Sequence, residues 1–441
     1  MTSQFSLLRE QRFRPFFFSQ LLGAFNDNVF KTVLITLLVF HGLKTSDADY
    51  RILATALPAI FILPFLICSA TAGQLADKFE KSMLMRRIKL FEIAIMLLAS
   101  LGFYLDHLTL LTTALFLMGV HSSLFGPVKY AYLPQHLSQE ELIGGNAMVE
   151  TATFLAILLG QIIGVALALH TQHALLASLV TIGIALAGYW ASLSIPNSPA
   201  GASDLKLNWH PIQATWENLK WAKQNKKTGL ALLAISWFWF YGATLLAQFP
   251  AFAKDSLGAD QTVFILLLAI FSCGIGLGSL LCEKLSKRKI QLGLVVFGAL
   301  GIALFGIDLY LSSHQYARPD SASLNYLQFL AKLSNLRLLL DIALIGLFGG
   351  FYVVPLYAYL QAKVDKSHQA RIIASNNILN ALFMVLSGLL SIGLFKLGLS
   401  IAALFLVTAL LHSLLFVGLC LHQPHAIQAL LRWLGSWFAR R

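Results

Sequence analysis

Four polar residues, Asn26, Asp27, Asn28 and Lys31, interrupt an otherwise apolar stretch, SQLLGAFNDNVFKTVLITLLVF, at 19–40. Asp27 and Lys31 stand four residues apart, so a helix places them on one face, one turn from each other. A charge inside a membrane helix costs about 2.5–3.5 kcal/mol on insertion scales, so each needs a partner, a wet cavity or a function. Asp27, like Glu150 further on, is a candidate proton or cation site. The asparagines add donors beyond what a self-neutralising pair would use, although such a pair is the simpler alternative.

Lys129 lies near the end of a later apolar run, and Asn146 and Glu150 open the next one. Counted from the connection near Ser138, Lys129 is 9 residues back while Asn146 and Glu150 are 8 and 12 forward. An antiparallel hairpin brings these positions to similar depth. Two uses are open to Lys129: an ion pair with Glu150, or contact with a lipid phosphate. His121, eight residues before it on the same helical face, suits packing or a helix-helix hydrogen bond better than proton coupling. In the second half of the chain Asn376 and Asn380 hold the places of Asn146 and Glu150, and Gln248 follows the aromatic run SWFWFYGATLLAQF.

The elements that must position these groups are membrane helices. The chain has 441 residues, 57% hydrophobic and 12% charged, with a mean hydropathy of +0.72. A soluble globule of this length would be about a quarter charged. Apolar runs of helical-span length recur along the chain, and only helices satisfy the backbone in lipid in that pattern. The expected spans are 15–41, 51–75, 84–104, 108–133, 142–169, 174–194, 229–252, 262–282, 290–311, 336–361, 371–397 and 399–421.

The formal charge of +12 does not mark a nucleic-acid binder, because the cations alternate with the spans. Of the 32 Lys and Arg residues, 23 fall on the side of the N-terminus, 7 on the other side, and Lys31 and Lys129 inside the membrane. The positive-inside rule then puts both termini in the cytoplasm. The segment LREQRFRP before the first span, with no small-residue cleavage site, predicts a retained helix rather than a cleaved leader. The four cysteines lie in or beside apolar runs, and their spacing gives no metal or disulfide framework. No cofactor, metal or catalytic group is expected.

Residues 195–228 form the longest connection and divide the chain into bundles at 1–194 and 229–421, with an amphipathic tail at 422–441. Within the connection, Trp209, Ile212, Trp216 and Leu219 share one helical face, as in a helix lying in the membrane interface. The halves echo each other in GQLADKFEK against GSLLCEKLSK, FGPVKYAYLP against FYVVPLYAYL, and GGNAMVET against IASNNILN. The expected architecture is all-α, twelve transmembrane helices in two pseudo-symmetric six-helix bundles.

GQLADKFEK, from Gly73 to Lys81, resembles the loop between the second and third helices of the major facilitator superfamily. That resemblance implies a conformational latch of Gly73, Asp77, Lys78 and Lys81, with a departure at Phe79 and Glu80. FNDNVFK, GVHSSLFGPVKYAYLPQHL, GGNAMVETATFLAILLG, SWFWFYGATLLAQFP and GLFGGFYVVPLYAYLQ together resemble the bacterial lysophospholipid transporter family, over about 13–416. The resemblance implies movement of lysophospholipids such as lysophosphatidylethanolamine from the outer to the inner leaflet of the inner membrane by alternating access. A cytoplasmic lysophospholipid acyltransferase, separate or fused, would then reacylate them. This chain holds no H-x4-D acyltransferase motif, since His107 and His136 are followed five residues later by Thr112 and Glu141.

On that basis the headgroup is expected against Asn26, Asp27, Asn28, Lys31, Lys129, Asn146 and Glu150, with Asn376, Asn380 and Gln248 as further substrate contacts. The acyl tail is expected toward Trp237, Trp239, Phe240 and Phe351. Leu246 stands where related transporters can carry an arginine, so no span-7 phosphate arginine is expected. A proton-coupled exporter of drugs or small amphiphiles is the alternative function. A scaffold that docks an acyltransferase through the tail LLRWLGSWFARR is a third.

Overall fold

The computed structural model describes residues 3–41, 47–170, 173–224, 226–314, 316, 323–422 and 424–438. Several expectations concern groups outside the described residues: the loop cations Lys44 and Arg318, and the tail residue Arg440.

The helices follow the apolar runs. They are α1 (Arg14–His41), α2 (Asp47–Lys78), α3 (Lys81–Tyr104), α4 (Leu108–His136), α5 (Leu142–Ala168), α6 (His173–Leu193), α7 (Pro211–Gln224) and α8 (Lys226–Ala251). After them come α9 (Gln261–Ser286), α10 (Leu292–His314), α11 (Tyr326–Leu330), α12 (Leu333–Lys363), α13 (Gln369–Lys396), α14 (Ile401–His422) and α15 (Pro424–Phe438). Apart from a lone bridge between Ala259 and Leu324, the described residues contain no β-structure. Eleven of these helices are long and apolar enough to cross a membrane. The third expected span, α3, falls short of that measure because Lys81, Arg86, Arg87, Lys89 and Glu92 crowd its first half. It still packs along α4 and α6 and completes the twelve.

The chain forms two compact units. The first comprises Met1–Ser138, Ala156–Leu233 and Leu360–Leu382; the second comprises Gln139–Leu155, Ala234–Tyr359 and Phe383–Arg441. In the first unit α1 packs on α6, α2 on α4, and α3 on α4 and α6. Val29, Phe30, Val33 and Leu34 of α1 join Met96 and Ala99 of α3, and Leu115 and Met118 of α4, in one buried core. That core grips α1 immediately beyond the polar run Asn26–Asn28 and leaves those side chains at its border.

The connection 195–208 is stitched to the turn between α2 and α3. Glu80 caps α3 by accepting from Ser82 N (2.9 Å) and Met83 N (2.6 Å), and it also accepts from Ser198 N at 2.7 Å. Lys81 N donates back to Ser198 O at 2.9 Å. Gln74 and the Asn208 backbone exchange two hydrogen bonds, 3.1 and 2.6 Å. Beyond this clasp, α7 buries Ala214 and Asn218, and Trp209 just before it joins Ile212 and Trp216 in facing outward.

In the second unit α10 packs on α14 and α15. The tail helix α15 is a docked element as well as an amphipathic one. Trp433 is buried, donates to Leu285 O at 2.9 Å, and packs tilted against Phe297 with ring centroids 5.4 Å apart. Ile427 and Leu431 remain exposed.

Candidate functional site

The polar run of α1 resolves into separate jobs because successive helical residues point about 100° apart. Asn26 is fully buried and donates to Glu92 Oε1 of α3 at 2.7 Å, so its amide nitrogen is committed to the protein, while its Oδ1 makes no hydrogen bond among the described residues. Asn28 donates to Ala24 O at 2.8 Å and accepts from Lys31 Nζ at 3.2 Å. Lys31 also lies 5.4 Å from the centre of the Phe61 ring. The simpler alternative of a directly hydrogen-bonded Asp27–Lys31 pair is not seen among the described residues: Lys31 donates to Asn28, and its attraction to Asp27 one turn away acts without direct contact.

Asp27 is held from α4. Ser122 Oγ donates to its Oδ2 at 2.6 Å, while its Oδ1 is buried and has no hydrogen-bond partner among the described residues. An ionised carboxylate oxygen without a donor is costly away from water. The same face of α1, two turns back, carries Gln20. It is buried, and neither atom of its amide makes a hydrogen bond among the described residues. Together these atoms form a strip of unspent hydrogen-bonding capacity about 10 Å long.

Behind the strip lies a charge cluster that sequence reasoning missed. Lys89 and Glu92 are fully buried and pair at 2.7 Å, and His121 Nε2 lies 3.3 Å from the same Glu92 oxygen. The Lys89 ammonium fits only because glycines stand opposite it. A Cβ at Gly23 would meet Nζ at 2.6 Å, and one at Gly188 at 3.2 Å. Phe125 presents its ring to the ammonium, 5.4 Å from the centroid. Lys89 therefore leaves the set of loop cations to which its sequence position assigned it. A signal was present: Lys89 and Glu92 stand three apart, a spacing at which opposite charges meet on a helix.

The remaining expected contacts divide between the units. Lys129 belongs to the first unit, with its ammonium 4.5 Å from the Tyr130 ring centre. Asn376 and Asn380 are buried in the same unit. Asn146, Glu150 and Gln248 belong to the second unit; Asn146 donates to Leu142 O at 2.8 Å. The aromatic candidates also belong there. Trp237 donates to His412 Nδ1 at 2.9 Å and stacks on Phe240 at 4.6 Å, and Trp239 donates to Tyr357 at 3.2 Å. Phe351 packs against Phe297 and Phe348. Trp237, Tyr241, Phe271, Tyr352 and His412 line a small apolar cavity.

The GQLADKFEK turn makes specific contact with the start of α13. Asp77 accepts from Ala370 N (2.9 Å), Arg371 N (3.2 Å) and Arg371 Nε (3.0 Å). A carboxylate there satisfies orphan donors at a helix N-terminus and meets its positive end. Gly73 permits the approach, because a Cβ would stand 2.6 Å from Ala374 Cβ and 2.9 Å from Arg371 Cα. Lys81 turns away to Pro199 O at 3.2 Å, and Lys78 lies 6.0 Å from the Phe79 ring centre.

The Major Facilitator Superfamily family model matches residues 16–387, from the start of α1 into α13. The chain belongs to the Major Facilitator Superfamily. Among relatives within the superfamily it is 28% identical over 360 residues to the "Lysophospholipid transporter LplT" of Serratia proteamaculans (strain 568), covering 79% of each chain. It is 29% identical over 359 residues to the protein of the same name from Yersinia pestis (strain Pestoides F), covering 78% of this chain and 77% of that one. Two solved superfamily structures share the fold. The human organic anion transporter MFSD10 (TETRAN) has a TM-score of 0.72 at 14% identity, over 92% of this chain and 98% of that one. The proton:xylose symporter XylE has a TM-score of 0.68 at 13% identity, over 94% and 95%. At those identities the likeness speaks for the superfamily fold alone.

Proposed function

We propose that this protein is a lysophospholipid carrier that moves lipids such as lysophosphatidylethanolamine from the outer to the inner leaflet of the inner membrane by alternating access. A cytoplasmic acyltransferase then reacylates them, and both termini of the carrier face the cytoplasm. The observation that carries the reading is Asp27, whose Oδ1 is buried without a hydrogen-bond partner among the described residues, with Lys31 one helical turn on. A zwitterionic headgroup complements that arrangement, with its ammonium on the carboxylate and its phosphate toward the lysine. Gln20, on the same face, offers a donor and an acceptor to the glycerol hydroxyls. The named relatives support the choice of lipid class. The contact of Asp77 with α13 acts as the latch that locks one state of the transport cycle.

Purified protein in nanodiscs is expected to bind a fluorescent lysophosphatidylethanolamine saturably. Asp27→Asn, which keeps the Ser122 hydrogen bond but removes the charge, is expected to weaken binding at least tenfold. That equals about 1.4 kcal/mol, close to the lower end of the range for a charged hydrogen bond, about 1.5–3 kcal/mol. Equal binding by wild type and Asp27→Asn would remove Asp27 from the site. Saturable binding of a cationic dye, uncontested by any lysolipid, would favour an exporter.

A further inference from the structure

The connection after α6 does not stay at the ends of the helices but climbs α2 rung by rung. Ala202 N donates to Asp77 O at 2.8 Å, and the Asn208 backbone then exchanges its two hydrogen bonds with the Gln74 amide. Further up, Ala214 of α7 joins Ala70 of α2 and Ile378 of α13 in a small buried cluster, with Leu66 packed against it. All of these residues belong to the first unit. The contact of Asp77 with Arg371, at 3.0 Å, marks one level on both spans. Ala70 stands seven residues from Asp77 and Ile378 seven from Arg371, each about 10 Å further along a stretch that carries no charge. Thus α7 is seated beyond the last charged level, in the apolar zone. A backbone that enters that zone needs partners from the protein, and Gln74 supplies them to Asn208.

At about 100° per residue, α7 presents three faces. Ala214 and Asn218 point inward and are buried. Gln213, Glu217 and Lys220 make an exposed polar face, on which Gln213 donates to Glu217 at 3.0 Å. Ile212 and Trp216 make the third, 77% and 70% exposed, and Trp209 adjoins it. Protein, water and lipid are the surroundings that a helix lying in a bilayer surface meets. The apolar face continues the outward-facing apolar side chains of the spans that hold α7, Leu63 and Ile67 of α2 and Leu382 of α13. The grip of the protein on α7 is thin by comparison. It rests on small side chains and leaves the buried Nδ2 of Asn218 with no hydrogen-bond partner among the described residues, which disfavours the docked position.

We propose that α7 is seated in the inner leaflet with Trp209, Ile212 and Trp216 among the lipid chains, and that this lipid contact holds α7 across the joint of α2 and α13 and so fastens the Asp77 latch. The joint is then closed at two levels. Asp77 binds the start of α13 at Ala370 and Arg371, and about two turns deeper α7 touches both helices at once. Because α7 packs on both, α13 parts from α2 only as α7 yields. Burial of two tryptophans and an isoleucine in lipid supplies the hold that the thin protein contact lacks. Opening of the latch therefore depends on the bilayer as well as on Asp77. This rests on the latch reading and is independent of which lipid is carried.

The test uses the full chain in nanodiscs of phosphatidylethanolamine and phosphatidylglycerol, with Cys68 and Cys273, the two cysteines that are not buried, replaced by serine. A nitroxide on Ile212→Cys is expected to collide more with dissolved oxygen than with a water-soluble nickel chelate, and one on Gln213→Cys to show the reverse. Chelate access at Ile212 equal to that at Gln213 means that the face stands in water, open to a protein partner, and overturns the proposal. Ile212→Glu with Trp216→Glu is expected to quicken hydrogen exchange at Ala370 and Arg371 at least about threefold, while Ile212→Leu with Trp216→Phe stays near wild type. If the acidic variant leaves that exchange unchanged while Asp77→Asn quickens it, the lipid fastening is overturned and the latch stands. If neither variant changes it, the latch reading falls as well.

Discussion

Lys89 and Glu92 form a fully buried ion pair in the first unit, behind the candidate headgroup strip. Burying an ion pair is costly, and removing one partner strands the other charge, typically at about 3–5 kcal/mol. Glu92→Leu or Lys89→Met alone is therefore expected to destabilise the protein by about that amount, while the double substitution recovers most of the loss. Thermal unfolding of the four proteins in one detergent gives the coupling energy. Additive losses would show that the 2.7 Å contact carries little energy. At this scale the sequence was only partly legible. Asp27 stood out because it is an isolated acid in an apolar run, whereas Lys89 hid among Lys81, Arg86 and Arg87 as one more loop cation. The assignment of Asn26 to Glu92 required knowing that α3 passes that face of α1, which no local spacing reveals.

Helices were the most legible elements, since hydrophobic length alone marks them in a membrane protein. Where their ends meet was less so. The sequence reading met Phe79 and Glu80 as a departure from the superfamily pattern. The structure gives Glu80 a place: it caps α3 and holds the 195–208 connection through Ser198. Burial pushes the Glu80 carboxyl up, but the donors of Ser198, Ser82 and Met83 outweigh it and keep the group below its ordinary value of 4.5. Its contribution to the clasp is therefore present above that pH and is lost as pH falls through the lower folded value. Hydrogen exchange at the Ser198 amide, corrected for intrinsic rates, should stay slow down to about pH 4.5 and quicken below it. Equal protection in Glu80→Gln at neutral pH would contradict the clasp. For the latch, Asp77→Asn keeps an acceptor at α13 but loses the charge, a cost of about 1–2 kcal/mol. Faster exchange at Ala370 and Arg371 with retained folding is the expected result, and unchanged exchange would remove the latch role. The tail helix α15 was legible as amphipathic but not as docked, because an apolar stripe looks the same whether lipid or α10 covers it.

For the whole molecule, superfamily membership follows from the match across residues 16–387, and the internal echoes of loop and span in the sequence already pointed to that fold. The two compact units cut across α5, α8, α12 and α13 rather than following the sequence halves, a division that depends on packing and that no repeat could disclose. Function rests on fewer residues than fold does. The polar strip of Asp27 and Gln20, with the buried charges behind it, gives the first unit chemistry suited to a charged headgroup. The measurement that tests this most directly is leaflet-resolved transfer of labelled lysophosphatidylethanolamine in proteoliposomes, with an impermeant quencher reporting which leaflet holds the lipid. Wild type should carry the lipid across at a rate well above protein-free vesicles, and Asp27→Asn should lose at least nine-tenths of that gain, about 1.4 kcal/mol in the barrier. Transfer by Asp27→Asn at the wild-type rate would contradict the account.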